Sequence, residues 1–444
     1  MLLEFKVKNF KSFKEEVVFS MQPAPRLKDL ESSILTKEIG KQVYKALPTS
    51  IIYGPNGSGK TNIIEAMEDL QEIIITGNIL DKETSHSPNI SHSKLELIPN
   101  INSSQNASTS FSIKFIADNK VFEFYLSINL GKFLNANYER TIIEEKLFIN
   151  EDEIFSRNDN GINLNFNNLK QFIPNSFKEE ESNMILKRFK ENISSTKTNL
   201  FLTSVFRDMY SSDLVKSFED WFSRFAVACS FEQYKYPLPF HGQNENKFTK
   251  HKILDKLTKQ LGTSSELGYY LDGQTKKNEL ASVIKSDGES FMLKAEVFES
   301  LGTNRIASLI PLISGAIRLG LTLVIDELDA SIHPMIIMNI VKIFHDEEIN
   351  TKGAQLIFNT HNPIFLNNSL FVEPLFRRDE IKFIDKDEDK KTSVLYSLSD
   401  FGTNSDTPVR NTTDYMKNYF ISKYGAIKDI DLSELFQEEV VNAK

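Results

Sequence analysis

Eight consecutive residues, Gly54-Pro55-Asn56-Gly57-Ser58-Gly59-Lys60-Thr61, match the pattern G-x-x-x-x-G-K-[ST], whose chemistry is phosphate binding. The glycines let backbone N–H groups wrap phosphate oxygens at a helix N-terminus, where the helix dipole favours negative charge. Lys60 is placed to reach the β and γ oxygens of ATP, and the Thr61 hydroxyl to ligate Mg2+. Far downstream, the apolar run Leu321-Thr322-Leu323-Val324-Ile325 ends in Asp326-Glu327. A strand end of this kind gives one acid to a cation and one to water: Asp326 would hold Mg2+, and Glu327 would orient and deprotonate the water that attacks the γ-phosphate. Three further candidates keep a set order around this pair. Ser300, Gly302 and Thr303 open a helix-like stretch ahead of it, Asp329 follows it, and His361 closes a later strand-like run, Gln355 to Thr360. Taken singly, a Ser-x-Gly-Thr turn is a helix cap and a strand-end His is structural. Their order behind a phosphate loop is what points to chemistry.

To position these residues the chain needs a strand, a glycine loop and a helix in succession. Ser50–Tyr53 is a short apolar run, and Ile63, Ile64, Met67, Leu70, Ile73 and Ile74 recur close to a 3.6-residue period over Thr61–Thr76. Asn304–Leu319 reads as a helix feeding the acid-bearing strand. Leu3–Val7 and Glu16–Ser20 read as strands, and Phe111–Phe115, Val121–Ile128 and Tyr138–Phe148 alternate like an antiparallel meander with Asp118-Asn119 as a hairpin turn. Gly77–Ser110 is polar and aperiodic, a long loop. Helical patterns at Phe177–Asn192 and Leu214–Phe225 place a mainly helical insertion at 161–285, between an N-terminal half (1–160) and a C-terminal half (286–444) of one α/β unit.

At 444 residues the chain is long for one core and natural for a large domain with an insertion. A net charge of −9 excludes a general polyanion trap, so any nucleic-acid contact must come from local basic patches such as Lys247, Lys250, Lys252, Lys256 and Lys259, a run that reads first as a solvated helix face. One cysteine, Cys229, removes disulfide frameworks and Cys-based zinc sites and fits a reducing cytosol. The N-terminus lacks the unbroken apolar core of a signal peptide, and Ser308–Ile325, the most apolar window, is crossed by Pro311, Gly315, Arg318 and Gly320, which argues against a membrane span. The expected location is the cytoplasm.

Phosphate loop, Ser-x-Gly-Thr turn, Asp-Glu pair, following Asp and strand-end His, in this order, resemble an ABC-type ATPase head of the SMC, RecF and OLD kind. With EFKVKNFKSF, YGPNGSGKTNIIEAM, ESLGTNRIASLIPLI, VIDELDASIHP and IFNTHNP, the chain is similar to the RloA/AbiL type of AAA family ATPase found in bacterial phage-defence and abortive-infection loci. The resemblance covers roughly 1–160 and 286–444. It implies a P-loop NTPase fold with a mixed core sheet and an antiparallel subsheet, and two chains facing head to tail. ATP-Mg2+ would then lie between Lys60, Thr61, Asp326, Glu327 and His361 of one chain and Ser300, Gly302 and Thr303, the signature, of the other. His361 would sense the γ-phosphate, Asp329 would sit in the D-loop that meets the opposite subunit, and Gln105 is the candidate for the Q-loop. His333 before Pro334 reads as a turn-shaper.

The function implied is that of an ATPase sensor or motor controlling a separate effector, a nuclease encoded alongside, in anti-phage defence. OLD relatives carry a TOPRIM nuclease, whereas here about eighty residues follow His361, and their one acidic cluster, Asp385, Asp387, Glu388 and Asp389, reads as a charged hairpin. A DNA-clamping repair protein of SMC or RecF type is the rival reading, recognisable by salt-sensitive, ATP-dependent DNA binding. A transport ATPase is weaker, because the stretch between Lys60 and Ser300 far exceeds what a transport subunit needs.

Overall fold

The computed structural model describes residues 1–444 apart from 26, 81–94, 134, 136–137, 174–179, 181–183, 185–186, 188–196, 211, 235–247, 264, 274–277, 370–373, 402–408, 411–412, 429–432, 434–435 and 437–444. The expected helix Phe177–Asn192 falls mostly outside the described residues, and Lys247 falls outside them altogether.

Unbroken apolar runs need cover on both faces, which a parallel sheet between helices provides. Thr49–Tyr53, Thr322–Ile325 and Gln355–Asn359 each carry such a run between polar residues and are buried at every residue. They form the centre of a six-stranded sheet with the order Phe225–Ala228, Thr322–Ile325, Gln355–Asn359, Thr49–Tyr53, Ile381–Asp387, Thr392–Ser397, parallel at every pairing except the last. Side chains alternate across it with period two. Ile52, Val324, Ile357 and Ile384 join the core that contains helix Lys60–Thr76, while Ile51, Leu323, Ile325, Leu356, Phe358 and Phe383 join the core of helices Leu301–Leu319 and Pro334–His345.

The expected meander is part of a seven-stranded antiparallel sheet with the order Gly161–Leu164, Asp152–Asn158, Thr141–Ile149, Lys120–Asn129, Ser108–Ala117, Leu2–Lys8, Val17–Ser20. Asp118 and Asn119 take φ of 45° and 57°, the left-handed pair that a two-residue hairpin turn requires. Its inner face shares the core of helix Lys60–Thr76, and Phe115 stacks on Trp221 with ring centroids 4.0 Å apart. Buried Gln355 joins the two sheets: its Oε1 accepts from Leu2 N (2.6 Å), and its Nε2 donates to the carbonyls of Leu2 and Leu47, each at 3.0 Å.

The segment expected to be mainly helical carries helices Ser212–Ser223 and Lys252–Leu261, but strands as well. Phe225–Ala228 is an edge strand of the core sheet itself, paired in parallel with Thr322–Ile325. The apolar period of the preceding helix runs straight into it across Arg224, and its partner lies about a hundred residues away, so no local signal separates the two. Thr249–Lys250, Glu266–Leu271, Asn278–Ser286 and Glu289–Lys294 form a separate four-stranded antiparallel sheet. The 160/161 limit falls between paired strands Asp152–Asn158 and Gly161–Leu164, and the 285/286 limit inside strand Asn278–Ser286, so neither is a break in the fold. Among the described residues no helix is long and apolar enough to cross a membrane.

Candidate functional site

Strand Thr49–Tyr53 runs into the loop Gly54–Gly59, and helix Lys60–Thr76 starts at once. Gly57 and Gly59 take φ of 74° and 109°, backbone that side chains avoid. A Cβ on Gly59 would run into Ser12 Oγ, and one on Gly54 into the Ile384 carbonyl oxygen, so the loop is clasped between the segment after the first strand and strand Ile381–Asp387. Asn62 Nδ2 donates to Ser12 Oγ (2.7 Å), Ser393 N donates to the Ser12 carbonyl (2.8 Å), and Ser393 Oγ donates to the Ser58 carbonyl. Lys60 Nζ folds back onto the carbonyls of Gly54 (2.8 Å) and Pro55 (3.1 Å). Burial pushes its ammonium down to about 8, while Asp326 and Glu327 pull the other way. Asn56 is exposed at the loop tip, and the buried Ser58 hydroxyl has no hydrogen-bond partner among the described residues.

Three core strands end side by side above this loop. Ile325 pairs with Phe358, so Asp326 and Asn359 come level. Thr61 Oγ1 donates to Asp326 Oδ2 at 3.0 Å, bringing together two residues 265 positions apart. Burial raises the Asp326 carboxyl above its usual range, and hydrogen bonds from Asn359 and Thr61 oppose the shift. Asn359 Nδ2 donates to Asp326 Oδ1, and its Oδ1 accepts from Glu327 N at 2.6 Å. Glu327 itself is left-handed, with φ of 47°. Thr360 Oγ1 donates to Asp329 Oδ2 at 2.8 Å, and His361 follows it in the chain. Partial burial pushes the His361 imidazole toward its neutral form, with Lys60 adding to the shift and Glu327 and Asp329 opposing it. The structure thus brings Lys60, Thr61, Asp326, Glu327, Asp329 and His361 to one place. Sequence reasoning passed over Asn359 and Thr360; the available signal was a polar pair closing an otherwise apolar strand immediately before the His.

Ser300 caps helix Leu301–Leu319, its Oγ accepting from Thr303 N (3.1 Å) and lying 2.9 Å from Thr303 Oγ1. This turn sits against the loop after the acid pair: Arg305 Nη1 donates to the Ala330 carbonyl at 2.7 Å. His333 shapes the next helix start as expected, its Nδ1 accepting from Met335 N (3.2 Å) with Pro334 at the first helical position. Gln105 lies in an exposed turn, and among the described residues no hydrogen bond joins it to the site. After the strand beside Asp326, the short helix Phe231–Tyr234 carries Gln233, whose Nε2 donates to Glu68 Oε1 at 2.6 Å on the phosphate-loop helix. The acidic hairpin is ion-paired, Asp387 with Lys390 (2.9 Å) and Glu388 with Lys428. Helix Lys252–Leu261 buries Leu254 and Leu257 and exposes Lys252, Lys256 and Lys259, a solvated face.

A phosphate and a cation both fit. Lys60 has donors that a β- or γ-phosphate would take over from two carbonyls, and Thr61 with Asp326 offers a hydroxyl and a carboxylate already adjacent. Among the described residues no group of three or more His, Cys, Asp or Glu side chains is arranged to hold a metal ion.

The family model described as "AAA domain, putative AbiEii toxin, Type IV TA system" matches residues 50–367, a span from the phosphate-loop strand past His361. Solved structures that match include an SMC head domain from Thermotoga maritima, at 13% identity and TM-score 0.36 over 89% of this chain and 98% of that one. An SMC head bound to the C-winged helix domain of ScpA matches at 13% identity and TM-score 0.39, over 90% of this chain and 97% of that one. No curated protein matches the chain.

Proposed function

We infer the function from one premise: the chain belongs to the AAA-domain family whose model spans residues 50–367. It is an ATPase that works as a nucleotide-driven switch, and the observation that carries this reading is the 3.0 Å hydrogen bond between Thr61, just after the glycine loop, and Asp326 of the acid pair.

On this reading the loop N–H groups and Lys60 bind the β- and γ-phosphates of ATP, and Lys60 exchanges its two carbonyl partners for phosphate oxygens. Mg2+, when bound, neutralises phosphate charge, held by Thr61 and Asp326. Glu327 accepts a proton from the attacking water, and His361, electrostatically coupled to Lys60, Glu327 and Asp329, registers the γ-phosphate. Ser300, Gly302 and Thr303 cap the nucleotide of a second copy. Exposed apolar residues on both sides of Ser300 in sequence, Val297 and Phe298 before it and Leu301 after it, support a covered face there. ATP then joins two copies and hydrolysis releases them.

The biological setting we propose is bacterial anti-phage defence of the RloA/AbiL kind, with this ATPase controlling a separate effector nuclease; the putative AbiEii toxin in the family description supports the defence setting.

The test is the solution mass of Glu327→Gln with and without ATP-Mg2+. A nucleotide-dependent doubling, lost in Ser300→Arg, is the expected result. A constant monomer that binds ATP sinks the two-copy switch, and failure to bind ATP sinks the whole reading. In cells, Glu327→Gln should abolish protection from phage.

A further inference from the structure

We propose that Asn359 is a positioning residue that aims both acids of the site at once, its amide N–H holding the Asp326 carboxylate and its carbonyl oxygen holding the backbone N–H of Glu327. The inference rests on the nucleotide-site reading above.

The side chain is 1% exposed and its amide can point only one way. A carboxylate needs a donor and a backbone N–H needs an acceptor, so Nδ2 must face Asp326 and Oδ1 must face Glu327. Of the side chains of this length only asparagine offers a neutral donor and acceptor together: leucine has the shape without either, and ionised aspartate has no donor.

What the bridge holds is otherwise unfavourable. A left-handed conformation at a residue with a Cβ, as at Glu327, costs on the order of 1–2 kcal/mol. The bond from Glu327 N to Asn359, at 2.6 Å, offsets it and fixes where the carboxylate departs from the chain. Asp326 is held at both oxygens, by Asn359 at Oδ1 and Thr61 at Oδ2. When a cation takes over the Thr61 side, Asn359 alone keeps the carboxylate plane in place. Such outer partners of a cation ligand change cation affinity strongly although they never touch the ion.

The same strand end continues into Thr360, bonded to Asp329, and His361. Asn359 therefore ties the acid pair to the segment that carries the γ-phosphate sensor.

The experiment compares the wild-type chain with Asn359→Leu, of similar shape, and Asn359→Ser, which keeps a small hydroxyl and serves if the leucine variant does not fold. Three quantities are read: affinity for a non-hydrolysable ATP analogue without metal, affinity of the analogue complex for Mn2+ by loss of the free-ion spin resonance signal, and kcat and KM for ATP. Metal-free nucleotide affinity should stay within about twofold, because the phosphate loop is untouched. Mn2+ affinity should fall about tenfold or more, and kcat should fall at least as far with KM little changed. Unchanged Mn2+ affinity in a variant that still binds nucleotide overturns the proposal. A wild-type chain that binds no nucleotide overturns the underlying reading, and this one with it.

Discussion

Gly302 and Ser331 touch: a Cβ built on Gly302 would stand 2.5 Å from the Ser331 carbonyl oxygen. The Ser-x-Gly turn and the loop after the acid pair therefore form one surface of a single chain, reinforced by Arg305 on the Ala330 carbonyl. Gly302→Ala should force this backbone apart, costing about 1–3 kcal/mol, and should lower nucleotide-dependent assembly more than ATP binding. Thermal melting read alongside the mass of Glu327→Gln and the double variant checks both parts; unchanged assembly would detach the turn from the interface.

Two glycines of the phosphate loop should behave differently. Gly59→Ala combines a φ of 109° with collision against Ser12 Oγ, and ATP affinity should fall tenfold or more. Gly57→Ala has open space and meets only the left-handed penalty of about 1–2 kcal/mol, so its loss of affinity should be the smaller. Nucleotide titration of both variants ranks them, and the reverse order would contradict the clasped-loop geometry.

Gln355→Leu should unfasten the two sheets. It leaves the N–H and carbonyl of Leu2 and the carbonyl of Leu47 without Gln355, at about 1–3 kcal/mol for each buried group left unpaired. A shift of the urea midpoint worth about 3 kcal/mol or more is expected, and a shift under about 1 kcal/mol would mean that these groups find other partners.

Asp69, buried on the phosphate-loop helix with Oδ2 unpartnered among the described residues, sets a pH dependence. Burial pushes its carboxyl up to about 8, against the pull of Lys11 and with help from Glu68, Glu65 and Glu96. The folded chain then binds a proton that the unfolded chain has released, so this group's contribution declines as pH rises from about 4 to about 8, by at most about 1.4 kcal/mol per pH unit. Asp69→Asn should flatten that decline and be relatively more stable at pH 8 than at pH 5. Parallel wild-type and variant curves would show that Asp69 ionises normally.

The candidate site was legible in the sequence wherever it is written in consecutive residues. Gly54–Thr61 and Asp326–Glu327 could be named because a phosphate loop and a strand-end acid pair are local patterns, and the helix after Thr61 was readable because its apolar period is unbroken. Asp118-Asn119 was readable for the same reason, since a turn is decided by its own two residues.

What needed the tertiary structure was adjacency between distant residues. Nothing near Phe225 says that it starts an edge strand beside Thr322, because a parallel pairing is set by a partner remote in sequence and the preceding helical period hides the boundary. Asn359 gains its meaning only when strand register brings it level with Asp326, and Gln355 only when it meets Leu2 across two sheets. Residue types and local spacing determined which groups could be singled out as candidates for phosphate chemistry. Long-range strand pairing, which no short stretch of sequence encodes, decided which of those groups touch.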